Sequence, residues 1–492
     1  MESLEKYFEQ FRKNIVGIDS TFESPYGTKK IIYADWIASG RLYAPIEDKI
    51  KEVFGPFVGN THSEASETGV AMTLAYHLAH KIIKDHVNAN EKDILITAGA
   101  GMTGVVNKFQ RILGLRVPEQ AQELCKMSKL PDNERPVVFI THMEHHSNQT
   151  SWLETIADVV VLEPSLSMRV IPDNLEAELQ KYKDRKIKIG SFSACSNVTG
   201  LMPPIYKLAR IMHENGGYCF IDFAASAPYV DINMHPEDSM EQLDAIFFSP
   251  HKALGGPGSA GVLVFNSSLY KNKAPDNPGG GTVAWTNRWN EFEYVSDIEA
   301  KEDGGTPAFI QTFRVALTLK LKEKMGVKNI HNREKEILDI IFPEFDKIDK
   351  LHILSSENRD RLGVISFYIE GVHHNLIVKL MNDKFGVQFR GGCSCAGTYG
   401  HFLLNVDKEK SNEITKKINS GDLTEKPGWV RMSIHPTMSN NEVYYIIDAL
   451  KQLVENIEEW QKDYYFDKIV GEYFNRNIEK KTMSDFNSWF EI

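Results

Sequence analysis

Apolar and polar residues alternate along this chain in two different rhythms. Between about residues 90 and 266, short apolar runs recur: Asp93–Thr97, Pro136–Ile140, Val159–Leu162, Ile187–Ser191, Tyr218–Asp222, Ala245–Phe248 and Gly261–Phe265. Each is short enough for a buried strand. Between them lie stretches with helical spacing, including one through Asn107–Leu113 and Pro204–Glu214. The alternation predicts an α/β domain around a mostly parallel sheet. Residues 1–17 and 71–87 also have helical periodicity, and Lys30–Asp35 reads as a strand running into a turn. From about residue 306 the texture changes. Long helical stretches (309–341 and 441–470) flank short strands near 363–369 and 429–434, which predicts a smaller α+β domain.

The pattern divides the chain into four parts. Residues 1–45 form an N-terminal segment expected to join the small domain. Residues 46–305 form the large domain, 306–465 the small domain, and 466–492 a C-terminal extension. The charged stretches 405–427 and 466–492 read as surface additions. Composition fits a folded protein: 492 residues, 42% apolar and 25% charged. The formal net charge of −11 argues against nucleic acid or an anionic membrane surface as a partner. No apolar run is long enough to cross a bilayer, and the first residues lack a signal-peptide core, so the expected location is the cytoplasm. Five cysteines (Cys125, Cys195, Cys219, Cys393 and Cys395) make no disulfide framework in a chain of this length.

Five polar groups follow predicted strands, where parallel α/β sheets bind ligands. Thr97-Ala-Gly-Ala-Gly101-Met102-Thr103-Gly joins a strand to a helix, and its small residues let backbone N–H groups approach a phosphate. His142-Met-Glu-His145-His146-Ser-Asn148 carries three histidines, without the His-x-x-x-His spacing of a helical zinc site. A metal site, an imidazole stacked on an aromatic ring and a solvated loop all remain open for it. Asn197 suits a turn or a hydrogen bond to a phenolic oxygen. Asp222 suits a helix N-cap, or a partner for a protonated pyridine nitrogen that keeps the ring an electron sink. Lys252 directly follows an apolar strand in Ser249-Pro-His251-Lys252, where burial favours an imine-forming amine; Ser249 and His251 suit a phosphate.

Together these motifs resemble the class V aminotransferase family of fold-type I pyridoxal-phosphate enzymes, and within it the cysteine desulfurase/selenocysteine lyase branch. The resemblance spans roughly residues 30–460. It is carried by Glu144-His145-His146-Ser-Asn148, Ser196-Asn197-Val-Thr-Gly200, Asp222, Ser249-Pro-His251-Lys252 and Arg390-Gly-Gly-Cys393-Ser-Cys395-Ala396. It implies a fold-type I transferase with a large domain built on a mostly parallel sheet and a smaller α+β domain.

The resemblance also implies roles. Lys252 is the Schiff-base lysine, His145 stacks on the pyridoxal 5'-phosphate ring, and Asn197 contacts its phenolic oxygen. Gly101, Met102, Thr103, Ser249 and His251 join Asp222 in holding the cofactor. Thr282, in Gly279-Gly-Gly-Thr282, reaches the phosphate of a partner subunit, which implies a homodimer with sites at the interface. Arg431, with Arg390 and Asn197, binds the substrate carboxylate, a task suited to a bidentate guanidinium. Cys395 takes the persulfide-forming position. The implied reaction converts L-cysteine to L-alanine, leaving a persulfide for a sulfur-acceptor protein. A free thiol is only a few per cent ionised near neutrality, so Arg390 or His145 would supply activating charge.

Two positions depart from the family pattern: Met102 where Thr is frequent, and Ala225 where a Gln contact to the cofactor is frequent. Competing expectations are another class V reaction not using Cys395 (transamination, epimerisation or C–S lysis), a non-catalytic scaffold, and a metalloprotein on His142–His146. Cys393 and Cys395 also admit a metal half-site or a redox pair.

Overall fold

A computed structural model describes residues 3–59, 61, 65–126, 128 and 130–492; Met1 and Glu2 of the expected first helix lie outside them. The seven apolar runs pair into one sheet. Its strands are β1 (Asp93–Ala98), β2 (Val137–Thr141), β3 (Asp158–Leu162), β4 (Lys188–Ser193), β5 (Tyr218–Asp222), β6 (Ala245–Phe248) and β7 (Gly261–Asn266), in the order β1-β7-β6-β5-β4-β2-β3. Every residue of β2, β4 and β6 is buried, as expected of strands covered on both faces. Only β7 runs against its neighbours, pairing antiparallel with β1 (Gly261 opposite Ala98) and β6 (Val262 opposite Phe248). The other six strands therefore point the same way. Their C-terminal ends bring the segments after Ala98, Thr141, Ser193, Asp222 and Phe248 to one edge of the sheet.

The second sheet is antiparallel: β8 (Leu351–Ile353), β9 (Val364–Ile369), β10 (Arg390–Gly392) and β11 (Trp429–Ser433), in the order β8-β9-β11-β10. In its register Arg390 lies directly opposite Arg431. The N-terminal segment packs with this half of the molecule. Phe8, Phe11, Ile15, Ile32 and Trp36 share a buried cluster with Ile337, Phe367, Ile377, Val430 and Leu450. Ile32–Tyr33 also pairs in parallel with Val387–Gln388.

Two long expected helices are cut short. The 309–341 stretch is two helices, Phe309–Met325 and Val327–Phe345, broken at Gly326, whose φ of +77° is a left-handed setting that glycine adopts without a Cβ penalty. The 441–470 stretch stops at Trp460. Beyond it, β12 (Tyr464–Asp467) and β13 (Glu472–Asn475) form a hairpin, in keeping with the strand preference of the aromatic run Tyr464-Tyr-Phe466. The first helix is also shorter than expected, covering Leu4–Arg12. Among the described residues, no helix is long and apolar enough to cross a membrane.

Candidate active site

A cavity of about 410 Å³ opens at the C-terminal edge of the large sheet. Its lining includes Gly101, Met102, Thr103, His145, Asn197, Asp222, Ser249, His251, Lys252, Arg390 and Arg431. Sequence reasoning named each of these. Thr282 lies elsewhere, buried in a loop closed on itself: its hydroxyl donates to the Gly279 carbonyl at 2.6 Å. Cys395 lines an adjoining cavity rather than this one.

Lys252 ends a short 3-10 turn (Pro250–Lys252) that follows β6. Burial, opposed by Asp222 and reinforced by Arg431 and Arg390, brings its amine down to about 8. Asp222 closes β5, and one carboxylate oxygen accepts from the Ala224 N–H at 2.7 Å. Burial pushes this acid up to about 7, against the pull of that N–H and of Lys252. The partly buried lysine and the buried carboxylate are thus shifted toward each other, the amine down and the acid up, as at many functional sites.

The glycine-rich turn joins β1 to the helix Met102–Ile112. The Met102 N–H donates to the Ser249 hydroxyl at 2.8 Å, so the departure at Met102 keeps a backbone bond to the β6 turn. The Thr103 hydroxyl pairs with the Ser147 hydroxyl at 2.7 Å, and His251 Nδ1 lies 2.9 Å from the Ala100 carbonyl. A Cβ on Gly101 would come within 2.9 Å of the His251 ring and 3.1 Å of the Ser249 hydroxyl. Glycine therefore keeps this cradle at the head of a helix open, the kind of site that suits a phosphate.

The three clustered histidines diverge. His142 Nε2 lies 3.1 Å from the Met168 carbonyl. His145 caps the helix His146–Leu153, its Nδ1 accepting from the Ser147 N–H at 3.1 Å, and its ring faces the cavity. Burial, with Lys252 and His146 nearby, holds His145 down at about 3. It is a neutral ring, and Arg390 is the cation beside Cys395, with Nη2 at 3.9 Å from Sγ. His146 Nε2 accepts from the Gly397 N–H at 3.0 Å. Among the described residues, no group of three or more His, Cys, Asp or Glu side chains is placed to hold a metal ion.

The small sheet closes the cavity. Arg431 is buried, and one Nη donates to the Asp35 carboxylate at 2.7 Å while the other reaches the Asn197 carbonyl at 3.2 Å. Among the described residues its Nε has no hydrogen-bond partner. Sequence reasoning missed Asp35; its position at the end of the Lys30–Asp35 strand was the available signal. The segment after Arg390 is pinned to the large domain at three points. The Asn197 side-chain amide donates to the Ser394 carbonyl at 2.7 Å, the His146 N–H donates to the Cys395 carbonyl at 2.8 Å, and Gly397 bonds His146 as above. Asn197 therefore tethers the cysteine loop while lining the cavity. Ala225, the second departure, lines the cavity with a methyl group where a longer amide would project.

The arrangement defines a class: a fold-type I α/β scaffold with a lysine–carboxylate pair at the end of its parallel strands. The chain belongs to the class-V aminotransferase family, whose family model matches residues 32–446. A probable cysteine desulfurase of Staphylococcus epidermidis is 26% identical over 380 residues, covering 76% of this chain and 85% of that protein. A probable cysteine desulfurase of Staphylococcus aureus is 25% identical over 375 residues, covering 75% of this chain and 84% of its own length. Among solved structures, the apo cysteine desulfurase of Thermococcus onnurineus superposes with a TM-score of 0.70 at 20% identity, covering 91% of this chain and 98% of its own. A cysteine desulfurase of Escherichia coli gives the same TM-score at 19% identity. These two superpositions establish the shared fold.

Proposed function

We propose that this protein is a pyridoxal-phosphate-dependent cysteine desulfurase. The carrying observation is the shared cavity: partly buried Lys252 and buried Asp222 face Arg390 and Arg431, and the Cys395 loop forms the wall between them and the adjoining cavity. The residues fit the cofactor. The Gly101 cradle at the helix start suits its phosphate, Asp222 its ring nitrogen and His145 its ring face. When bound, the cofactor supplies an aldehyde for the substrate amine and a ring that takes up negative charge.

The chain's own groups then divide the work. Arg431, oriented by Asp35, takes the substrate carboxylate with help from Arg390. Lys252 Nζ, partly neutral near pH 8, accepts and returns the substrate Cα proton. Cys395 Sγ, with Arg390 Nη2 3.9 Å away, takes the sulfur of L-cysteine as a persulfide while alanine leaves. In this reading Thr282 reaches the site of a second copy in a homodimer, the enzyme works in the cytoplasm, and a sulfur-acceptor protein unloads Cys395.

The test is Cys395→Ala. Sulfide release from L-cysteine is lost while the cofactor absorbance persists; unchanged sulfide release would overturn the role of Cys395. One observation favours a second reading, another class V reaction that leaves Cys395 unused: Cys395 faces the adjoining cavity. Pyruvate with ammonia would identify elimination, and a keto-acid requirement would identify transamination.

A further inference from the structure

Beside the main cavity lies a second one, of about 260 Å³, with Arg390 and Ser394 lining both. Cys393 and Cys395 both line the second cavity. Its far wall is made by the two stretches that stood out as additions in the sequence. Leu423 and Lys426 come from the 405–427 stretch, and Val470, Gly471 and Glu472 from the tip of the β12–β13 hairpin. The wall is built, not incidental. The Asn375 side chain donates to the Gly471 carbonyl at 2.8 Å, and the Leu423 N–H donates to the Lys468 carbonyl at 3.0 Å. The His373 ring packs against Phe466 and Tyr473 at 5.0 and 5.5 Å.

The two cysteines sit on a strained turn. Ser394 and Cys395 have φ of +52° and +58°, and the Ala396 N–H donates to the Cys393 carbonyl at 3.0 Å. That is the pattern of a type I′ turn, which prefers Asn and Gly at its two central positions. Holding Ser and Cys there strains the backbone, and the Asn197 and His146 tethers offset that strain. Cys393 and Cys395 are thus the first and third residues of one tight turn, and both open onto the same side cavity. Gly391 lets the strand before the turn lie against the cavity floor, since a Cβ there would meet the Asn375 side chain at 2.1 Å. The Ser394 hydroxyl is buried between the two cysteines in the chain, without a hydrogen-bond partner among the described residues.

We propose that Cys393 is a second sulfur carrier, receiving the sulfane sulfur from Cys395 inside this side cavity. The proposal rests on the desulfurase reading. The Cys393 thiolate attacks the outer sulfur of the Cys395 persulfide. A new S–S bond forms at Cys393 as the bond to Cys395 Sγ breaks, and the electron pair returns to Cys395 as a thiolate. Nothing is oxidised or reduced overall, and no co-reactant is consumed. Arg390, 3.9 Å from Cys395 Sγ, stabilises the leaving thiolate, which speeds exchange. Cys395 is then free for another turnover while the sulfur waits in a chamber walled by this chain's own additions.

The experiment uses the cofactor-loaded full chain with excess L-cysteine and no reductant. Rapid alkylation followed by fragment-ion mass spectrometry locates the sulfane sulfur, and the alanine burst is measured in parallel. Wild type carries sulfane on both cysteines. Cys393→Ser carries it on Cys395 alone, and its burst falls by half, with cofactor absorbance reporting that the variant is folded and loaded. A full burst in Cys393→Ser, or sulfane on Cys395 alone in wild type that does make alanine, overturns the relay and leaves the desulfurase reading standing. Absence of alanine from wild type overturns both.

Discussion

Arg431 and Asp35 are joined by a 2.7 Å ion pair, although 396 positions separate them in the chain. Asp35 lies beside Ser433 through a parallel bridge, so the N-terminal segment is stitched to the strand that carries Arg431. The pair fixes the guanidinium before a substrate arrives, which lowers the cost of ordering it on binding. Asp35→Asn is expected to raise KM for the amino-acid substrate about tenfold while kcat changes much less, because a charged hydrogen bond is worth about 1.5–3 kcal/mol and only binding is weakened. Steady-state kinetics check this; a fall in kcat at unchanged KM would place Asp35 in the chemistry instead.

Arg390 and Arg431 were equally visible in the sequence. Both were identified through motifs, but their direct cross-strand opposition was not, since register depends on which strands pair. The parallel sheet was legible because buried strands read as continuous apolar runs, and the strand-end residues followed from it. The β12–β13 hairpin was not. Its aromatic residues continue the apolar rhythm of the preceding helix, and their strand state is fixed by packing against His373 and the hydrogen bond from the Tyr464 hydroxyl to Asp383 at 2.8 Å. Asp35 was hidden for the same kind of reason: its partner comes from a distant part of the chain.

Lys252 is held at a cost to folding. Its amine falls to about 8 when buried, against an ordinary 10.5. Between those values the unfolded chain binds the proton and the folded chain does not, so stability rises as pH increases from about 8 to 10.5. Below pH 8 the folded protein carries the full penalty. Lys252→Met in the cofactor-free protein is therefore expected to gain on the order of 1–3 kcal/mol at pH 7. Urea titration checks this, and a loss of stability would show that the ammonium is well solvated or paired.

The same shift sets how fast the empty protein captures its cofactor. Imine formation needs the neutral amine, which rises from about a tenth of Lys252 at pH 7 to about half at pH 8. Reconstitution of the apoprotein with free pyridoxal phosphate, followed by absorbance, should accelerate about fivefold over that interval and level off above pH 9. A rate still climbing steeply to pH 10 would mean an ordinary lysine.

His146 clamps the cysteine loop through the Gly397 N–H. Burial lowers the affinity of this imidazole for a proton, which favours its acceptor form. His146→Ala removes the acceptor. Amide exchange at Gly397 should quicken, and sulfide release should drop by about five- to tenfold, in line with one hydrogen bond of about 1 kcal/mol. Cofactor absorbance should stay unchanged; loss of cofactor would place His146 in the cofactor site.

In the proposed reaction Lys252 and Cys395 act on one substrate. Product analysis of the cofactor-loaded wild-type protein with L-cysteine tests it most directly. Alanine formed in step with sulfane sulfur on the protein is the predicted result. Pyruvate and ammonia, or turnover only when a keto acid is supplied, would contradict it.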